Sequence, residues 1–272
     1  MTRAESVLAN SVAAGVDRMQ LGAGVWLALR ECEWLTRIPD VVLARIDEQA
    51  LVDRLGESEP RPLNETEIRV LRRLRSDRPT RFDTLVGSFP YTKVHLQRVV
   101  RDLKRSGFVH EDQRGGLVRG RHARSVADRL ISVEVKVSAW RPALVQARAH
   151  QQAAHAAYVA FGFEYAHRFT KASAHFEKLG VGLLEVDEAH AVTTRVAARR
   201  HPRRDPAASW FAAEQVLNSL LGRDVRQLPE TRLPGAAAPI VDRAPRLLNA
   251  PFGSSSLLAE LHLERDPVGL AS

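Results

Sequence analysis

Ile131-Ser-Val-Glu-Val-Lys-Val-Ser138 is the stretch that decides how this chain is read. Ile131, Val133, Val135 and Val137 face one way; Ser132, Glu134, Lys136 and Ser138 face the other. Four β-branched residues in eight predict a strand, half buried on its aliphatic face. Glu134 and Lys136, two positions apart, project from one face roughly 6 to 7 Å from each other. A carboxylate beside an ammonium on a rigid strand can bind a divalent cation and steer a water molecule. The plainer alternative is an amphipathic strand with a solvated Glu and Lys.

Working outward, the chain alternates helices and strands. Val7, Leu8, Val12 and Val16 give residues 2–20 a helical stripe, ended by Gly22 and Gly24. Val25–Leu29 reads as a first strand. Pro39 disfavours helix and is tolerated at a strand start, so Val41–Ala44 reads as a second, with Asp40 at its mouth. After residue 138 come a helix from Trp140 to Gln152, a strand Ala156–Phe161, a helix Thr170–Lys178 and a strand Val181–Val186. Asp205-Pro206 caps and opens a helix that runs to Leu221. Residues 229–253 are rich in Pro and Ala, and a short helix is expected at Leu257–Leu263.

With 272 residues, 44% hydrophobic and 26% charged, the composition is that of a globular protein with room for two domains. The single Cys32 rules out an intramolecular disulfide framework and reads as a small core residue. No leader pattern opens the sequence and no apolar run approaches a membrane span, so a cytoplasmic, non-membrane protein is expected. Of the 40 basic residues only five are lysine. The net charge of +8 is local: residues 61–126 carry 16 Lys and Arg against 7 Asp and Glu, leaving the rest at −1. A localised basic block usually meets a polyanion.

Within that block, residues 56–62 read as a linker, and Asn64 with Glu67 forms a capping-box start for a helix striped by Ile68, Val70, Leu71 and Leu74. A short helix follows over Phe82–Phe89, then a third over Thr92–Ser106, stopped by Gly107. Phe108–Gly120 reads as two strands about Gln113-Arg-Gly-Gly116. Three helices followed by a hairpin resemble a winged helix-turn-helix domain, over about 60 residues. That resemblance implies that Lys93, Gln97, Arg98, Arg101 and Lys104 of the third helix face DNA, with Arg114, Arg119 and Arg121 on the wing. The alternative for this unit is a protein-interaction module with a solvated basic face.

With the basic block set aside as an insertion, the remainder reads helix, strand, strand opened by Pro39-Asp40, strand bearing Glu134-Val-Lys136, helix, strand. That order resembles the PD-(D/E)xK, restriction-endonuclease-like nuclease superfamily. Gln146-Ala-Arg-Ala-His150 resembles the Gln-x-x-x-Tyr signature of its RecB-like branch, with His150 standing where tyrosine is usual. The resemblance implies a catalytic set of Asp40, Glu134, Lys136, Gln146 and His150. It also implies an oxygen site for Mg²⁺ or Mn²⁺ made by Asp40, Glu134 and the carbonyl of Val135. Such a metal activates water and draws charge from the scissile phosphate, while Lys136 stabilises developing negative charge. Glu5 and Asp17 are candidates for an acid from the first helix, ahead of Glu31 and Glu33. Asp40 and Glu134, 94 positions apart, are expected to converge at one end of a sheet. More than about 8 Å between their carboxylates would be too far for one cation.

The expected architecture is therefore α/β, a restriction-endonuclease-like mixed sheet flanked by helices, with an inserted winged-helix domain. Residues 1–58 and 127–200 form the core, 60–126 the inserted domain and 201–272 a C-terminal helical extension and tail. The expected function is DNA binding with metal-dependent cleavage of phosphodiester bonds. The alternative is a winged-helix transcription regulator whose core is inactive and serves as a scaffold or homodimerisation platform; an adaptor that binds only protein comes third. The histidines show no ligand spacing, and glycine-rich phosphate loops are absent from the sequence.

Overall fold

The computed structural model describes residues 2–221, apart from 16–18, 20, 33, 35–37, 57–59, 166–168, 170 and 201–204. Asp17, Glu33 and the expected tail helix therefore lie outside the described residues. Helix α1 (Arg3–Ala14) starts with a capping box between Thr2 and Glu5. Strands β1 (Val25–Arg30) and β2 (Val41–Ile46) follow, then α2 (Glu48–Leu55), capped by Asp47. An inserted unit holds α3 (Glu65–Arg73), α4 (Phe82–Val86), α5 (Lys93–Arg105) and the hairpin β3 (Val109–Glu111) and β4 (Leu117–Arg119). The chain returns through β5 (Ala127–Val135), α6 (Trp140–His150), β6 (Ala156–Gly162), α7 (Ser173–Leu179), β7 (Gly182–Val186), β8 (Val192–Val196) and α8 (Pro206–Leu220).

The protein is α/β, with a six-stranded mixed sheet in the order β1-β2-β5-β6-β7-β8. Strand β2 runs antiparallel to both β1 and β5; β5, β6 and β7 run parallel, and β8 returns antiparallel. Alternate residues of β6 enter different cores: Ala156, Tyr158 and Ala160 pack with α1 and α8, while Ala157, Val159 and Phe161 pack with α6 and α7. Helices thus cover both faces of the sheet, which is why the parallel strands are nearly continuously apolar.

This layering corrects the expectation of a half-solvated strand. β5 lies inside the sheet, and Ser132 and Glu134, on its polar side, are 0% and 2% exposed. The strand also begins earlier than expected and ends at Val135, so Lys136 opens the following loop.

The inserted unit has its own apolar cluster, built from Ile68, Leu71, Leu85, Leu96, Leu103, Phe108 and neighbours. Asn64 and Glu67 make the expected capping box on α3. Thr80, between α3 and α4, exchanges both backbone hydrogen bonds with Leu117 of β4. Helix α8 is no loose extension. Ala207 and Trp210 pack into the inserted unit, while Ala212, Ala213, Val216 and Leu217 pack into the sheet core.

Candidate active site and basic face

Asp40 and Glu134 meet because of strand register. β2 pairs with β5 through Val41↔Val133, so the next position outward sets Asp40 opposite Glu134 on one face of the sheet. The Asp40 Oδ2 accepts the Val135 N–H at 2.7 Å, fixing the carboxylate against the end of β5. Sequence nominated the carbonyl of Val135; the contact the structure shows is through its N–H.

Lys136 stands among three carboxylates. Its Nζ is 2.8 Å from Glu134 Oε1, 3.9 Å from Asp40 Oδ2 and 4.0 Å from Glu5 Oε1. One ammonium held by both carboxylates bounds the Asp40–Glu134 separation to under about 7 Å, inside the 8 Å limit set above. Glu5 is the candidate first-helix acid that the structure brings to this cluster. Its Oε2 closes the α1 capping box on Thr2 N at 2.8 Å, leaving Oε1 toward Lys136.

Burial raises the Glu134 carboxyl to about 7, with Asp40 and Glu5 adding to the rise and the Lys136 hydrogen bond opposing it. Burial likewise raises Asp40 against the pull of the Val135 N–H and Lys136. For Glu5, burial is outweighed by the Thr2 hydrogen bonds and Lys136, and the carboxyl is lowered. Lys136 is raised: its bond to Glu134 and the other two acids outweigh burial.

Among the described residues, no group of three or more His, Cys, Asp or Glu side chains is arranged to hold a metal ion. The Lys136 ammonium stands among the acids. A pair of carboxylates is nonetheless the donor set that Mg²⁺ uses when waters and a substrate phosphate complete its shell. The hard oxygens of Asp40 and Glu134 fit that role.

Gln146 and His150 come out differently. Gln146 is half-exposed on α6, whereas His150 is 3% exposed, its ring 6.1 Å from that of Trp34. His150 packs into the interior, so the pair does not present one open face to a phosphate or base.

On α5, Leu96, Val99, Val100 and Leu103 are buried, and Lys93, Gln97, Arg98 and Arg101 are exposed. Lys93 pairs with Asp83 at 3.1 Å and Lys104 pairs with Glu111. Among the described residues Arg98 and Arg101 have no ion-pair partner, and neither do Arg114, Arg119 and Arg121 around the hairpin. Sequence could not foresee this division, because it depends on where α4 and β3 set their acids. Sequence did not separate Val94, 72% exposed on the same face. Comparison with known proteins returned no matching family model, no matching curated protein and no matching solved structure.

Proposed function

We propose that this chain is a DNA-binding protein whose nuclease-like core cleaves phosphodiester bonds with Mg²⁺ or Mn²⁺. The observation that carries the reading is the convergence of Asp40, Glu134 and Lys136 at one end of the sheet. The order helix, strand, strand, strand, helix, strand around them supports the PD-(D/E)xK likeness. A bound metal would supply water activation and charge withdrawal at phosphorus. The protein's part would be to fix Asp40 through Val135 and to hold the Lys136 ammonium where negative charge develops.

The inserted unit would bring this site to duplex DNA. Three helices, a β-bridge from Thr80 in the α3–α4 connection to Leu117 of β4 and a terminal hairpin support the winged-helix likeness, in which α5 would enter the major groove. Arg98 and Arg101 are free to meet phosphate or guanine, and Arg114, Arg119 and Arg121 lie near the hairpin.

A second reading rests on a specific observation. The Glu134 carboxylate is already engaged by Lys136, and the acids do not form a three-ligand group. That favours a regulator in which the ion-paired cluster is structural and the core acts as a scaffold. No described helix is long and apolar enough to cross a membrane.

Nicking of supercoiled plasmid with Mg²⁺ or Mn²⁺ tests the two. Wild type is expected to cut, and Lys136→Ala to lose about 10²–10³ in rate while retaining DNA binding. Equal cutting by the mutant would remove Lys136 from the chemistry. Salt-dependent DNA binding without cutting in any metal would establish the regulator.

A further inference from the structure

Helix α5 carries an apolar residue where an amphipathic helix is usually most polar. Leu96, Val99, Val100 and Leu103 form its buried stripe. At about 3.6 residues per turn, the middle of that stripe lies roughly half a turn round the helix from Val94. Val94 therefore stands at the crest of the outer face, 72% exposed. Lys93, His95, Gln97, Arg98 and Arg101 surround it, all exposed. Valine is a poorer helix former than lysine or arginine, so helix stability does not account for it.

The neighbours one turn on have polar groups to offer. Among the described residues the Gln97 side-chain amide makes no hydrogen bond, so it presents an acceptor and two donors together. The start of α5 is fixed in place. Thr92 Oγ1 accepts the His95 N–H at 3.2 Å, and the His95 ring lies 5.3 Å from that of Tyr91. Tyr91 stacks on Phe89 at 5.8 Å, and both pack against the apolar cluster of the inserted unit. Val94 and Gln97 are thus presented from a positioned helix, which reading base edges requires.

We infer that Val94 and Gln97 read A·T pairs in the major groove of duplex DNA, Val94 against the thymine C5 methyl and Gln97 bidentate to adenine. Adenine shows its N6 donor beside the N7 acceptor, and a carboxamide matches both at once. Thymine adds a methyl group, the apolar feature that a lone valine can meet. Along the helix the two residues are about 4.5 Å apart, against about 3.4 Å between successive base pairs, so they meet one pair or two adjacent ones. The basic block of residues 61–126 supplies attraction to any sequence, and the crest of α5 supplies the choice. Phosphate alone would leave Val94 without a partner, since it offers only charge and oxygen. A protein partner fits less well, because Val94 is ringed by cationic and polar side chains instead of joining an apolar patch. The inference rests on the DNA-binding reading and is independent of the nuclease reading.

The test uses the full chain in EDTA, where metal-dependent cutting does not intervene. Duplexes randomised at the centre are selected for binding. Thymines of the enriched motif are then replaced one at a time by deoxyuridine, which lacks only the C5 methyl. The motif is expected to hold an A·T pair at which deoxyuridine weakens binding about three- to fivefold, the worth of one buried methyl. Val94→Ala should bind the thymine and deoxyuridine duplexes alike, at an unchanged melting temperature and an unchanged salt slope, because the contact carries no charge. Gln97→Ala should relax the preference for A·T at that site by about tenfold. No binding to any duplex would overturn the DNA-binding reading and this inference together. Binding with no enriched motif, or a motif without A·T pairs, would overturn the inference alone. So would a deoxyuridine penalty that survives Val94→Ala or an A·T preference that survives Gln97→Ala, leaving α5 as a phosphate-binding face.

Discussion

Glu134 pits burial against an ion pair, and burial wins: the carboxyl is raised to about 7 despite an ammonium 2.8 Å away. An acid raised on folding binds its proton more tightly in the folded state. Its stabilising protonated form is complete below the unfolded value near 4.5 and is lost as pH rises toward 7. Asp40, raised by burial, acts in the same direction; Glu5, lowered by Thr2 and Lys136, acts in the opposite direction and at lower pH. In EDTA, wild-type stability is therefore expected to fall between pH 5 and 8, by at most about 3 kcal/mol from Glu134. Glu134→Gln should flatten that fall, read from denaturant titrations at each pH. Parallel pH profiles for the two proteins would show that Glu134 does not titrate in this window. Glu134, Lys136 and Asp40 were legible as residue types at strand ends. Their burial was not, because the polar alternation of β5 looks the same whether water or α6 covers that side.

On α5 the charged residues divide by what their neighbours supply. Lys93 and Lys104 are held by Asp83 and Glu111, while Arg98 and Arg101 have no acidic partner among the described residues. Replacing Arg98 and Arg101 with alanine is expected to weaken DNA binding and reduce the salt slope by up to about 2, if each meets one phosphate. Lys93→Ala with Lys104→Ala should change the slope less, since each lysine must first leave its acid. Equal effects of the two double mutants would show that the ion pairs open freely on binding. The same dependence on neighbours explains which elements the sequence hid. Helix α2 was missed because Arg54, one of its buried residues, breaks the apolar stripe that marks a helix. Strand β8 was missed because only Val192 and Val196 are buried; Thr193, Thr194 and Arg195 are exposed on an edge strand whose identity comes from pairing with β7. Gly182, by contrast, sat in an apolar run read as a strand, and the structure adds its reason: the Tyr158 ring occupies the space a Cβ would need.

At the scale of the molecule, the inserted unit and the sheet are joined by a buried polar hub. Arg54 of α2 and Glu214 of α8 form a bidentate pair, 2.8 Å in each arm, with both side chains 0% exposed. Arg54 also donates to Arg61 O at 2.8 Å and lies 4.9 Å over the Phe108 ring. Glu214 also accepts the Leu63 N–H and the Trp210 indole N–H, each at 2.9 Å. One ion pair thus ties α2, the entry to α3, the start of the hairpin and α8, and it holds Arg61, within the expected linker 56–62, through its carbonyl. Desolvating two charges costs several kcal/mol, and the surrounding hydrogen bonds offset that only while both partners are present. Arg54→Ala or Glu214→Ala alone is therefore expected to destabilise the protein by about 3–5 kcal/mol. The joint change Arg54→Met with Glu214→Leu is expected to recover part of that loss, because no charge is left buried and unpaired, although the Leu63 N–H, the Trp210 indole N–H and the Arg61 carbonyl lose their partners. Guanidinium titrations followed by indole fluorescence and by far-ultraviolet circular dichroism check both points. Wild type should give coincident transitions, since the indoles of Trp26, Trp34 and Trp140 around the sheet and of Trp210 in the hub report on tertiary packing in both parts, while circular dichroism reports on secondary structure throughout. Separate transitions in the wild type would mean that the hub positions the two parts without coupling their folding. A double mutant no more stable than either single one would mean that the charges, rather than the packing around them, hold the parts together.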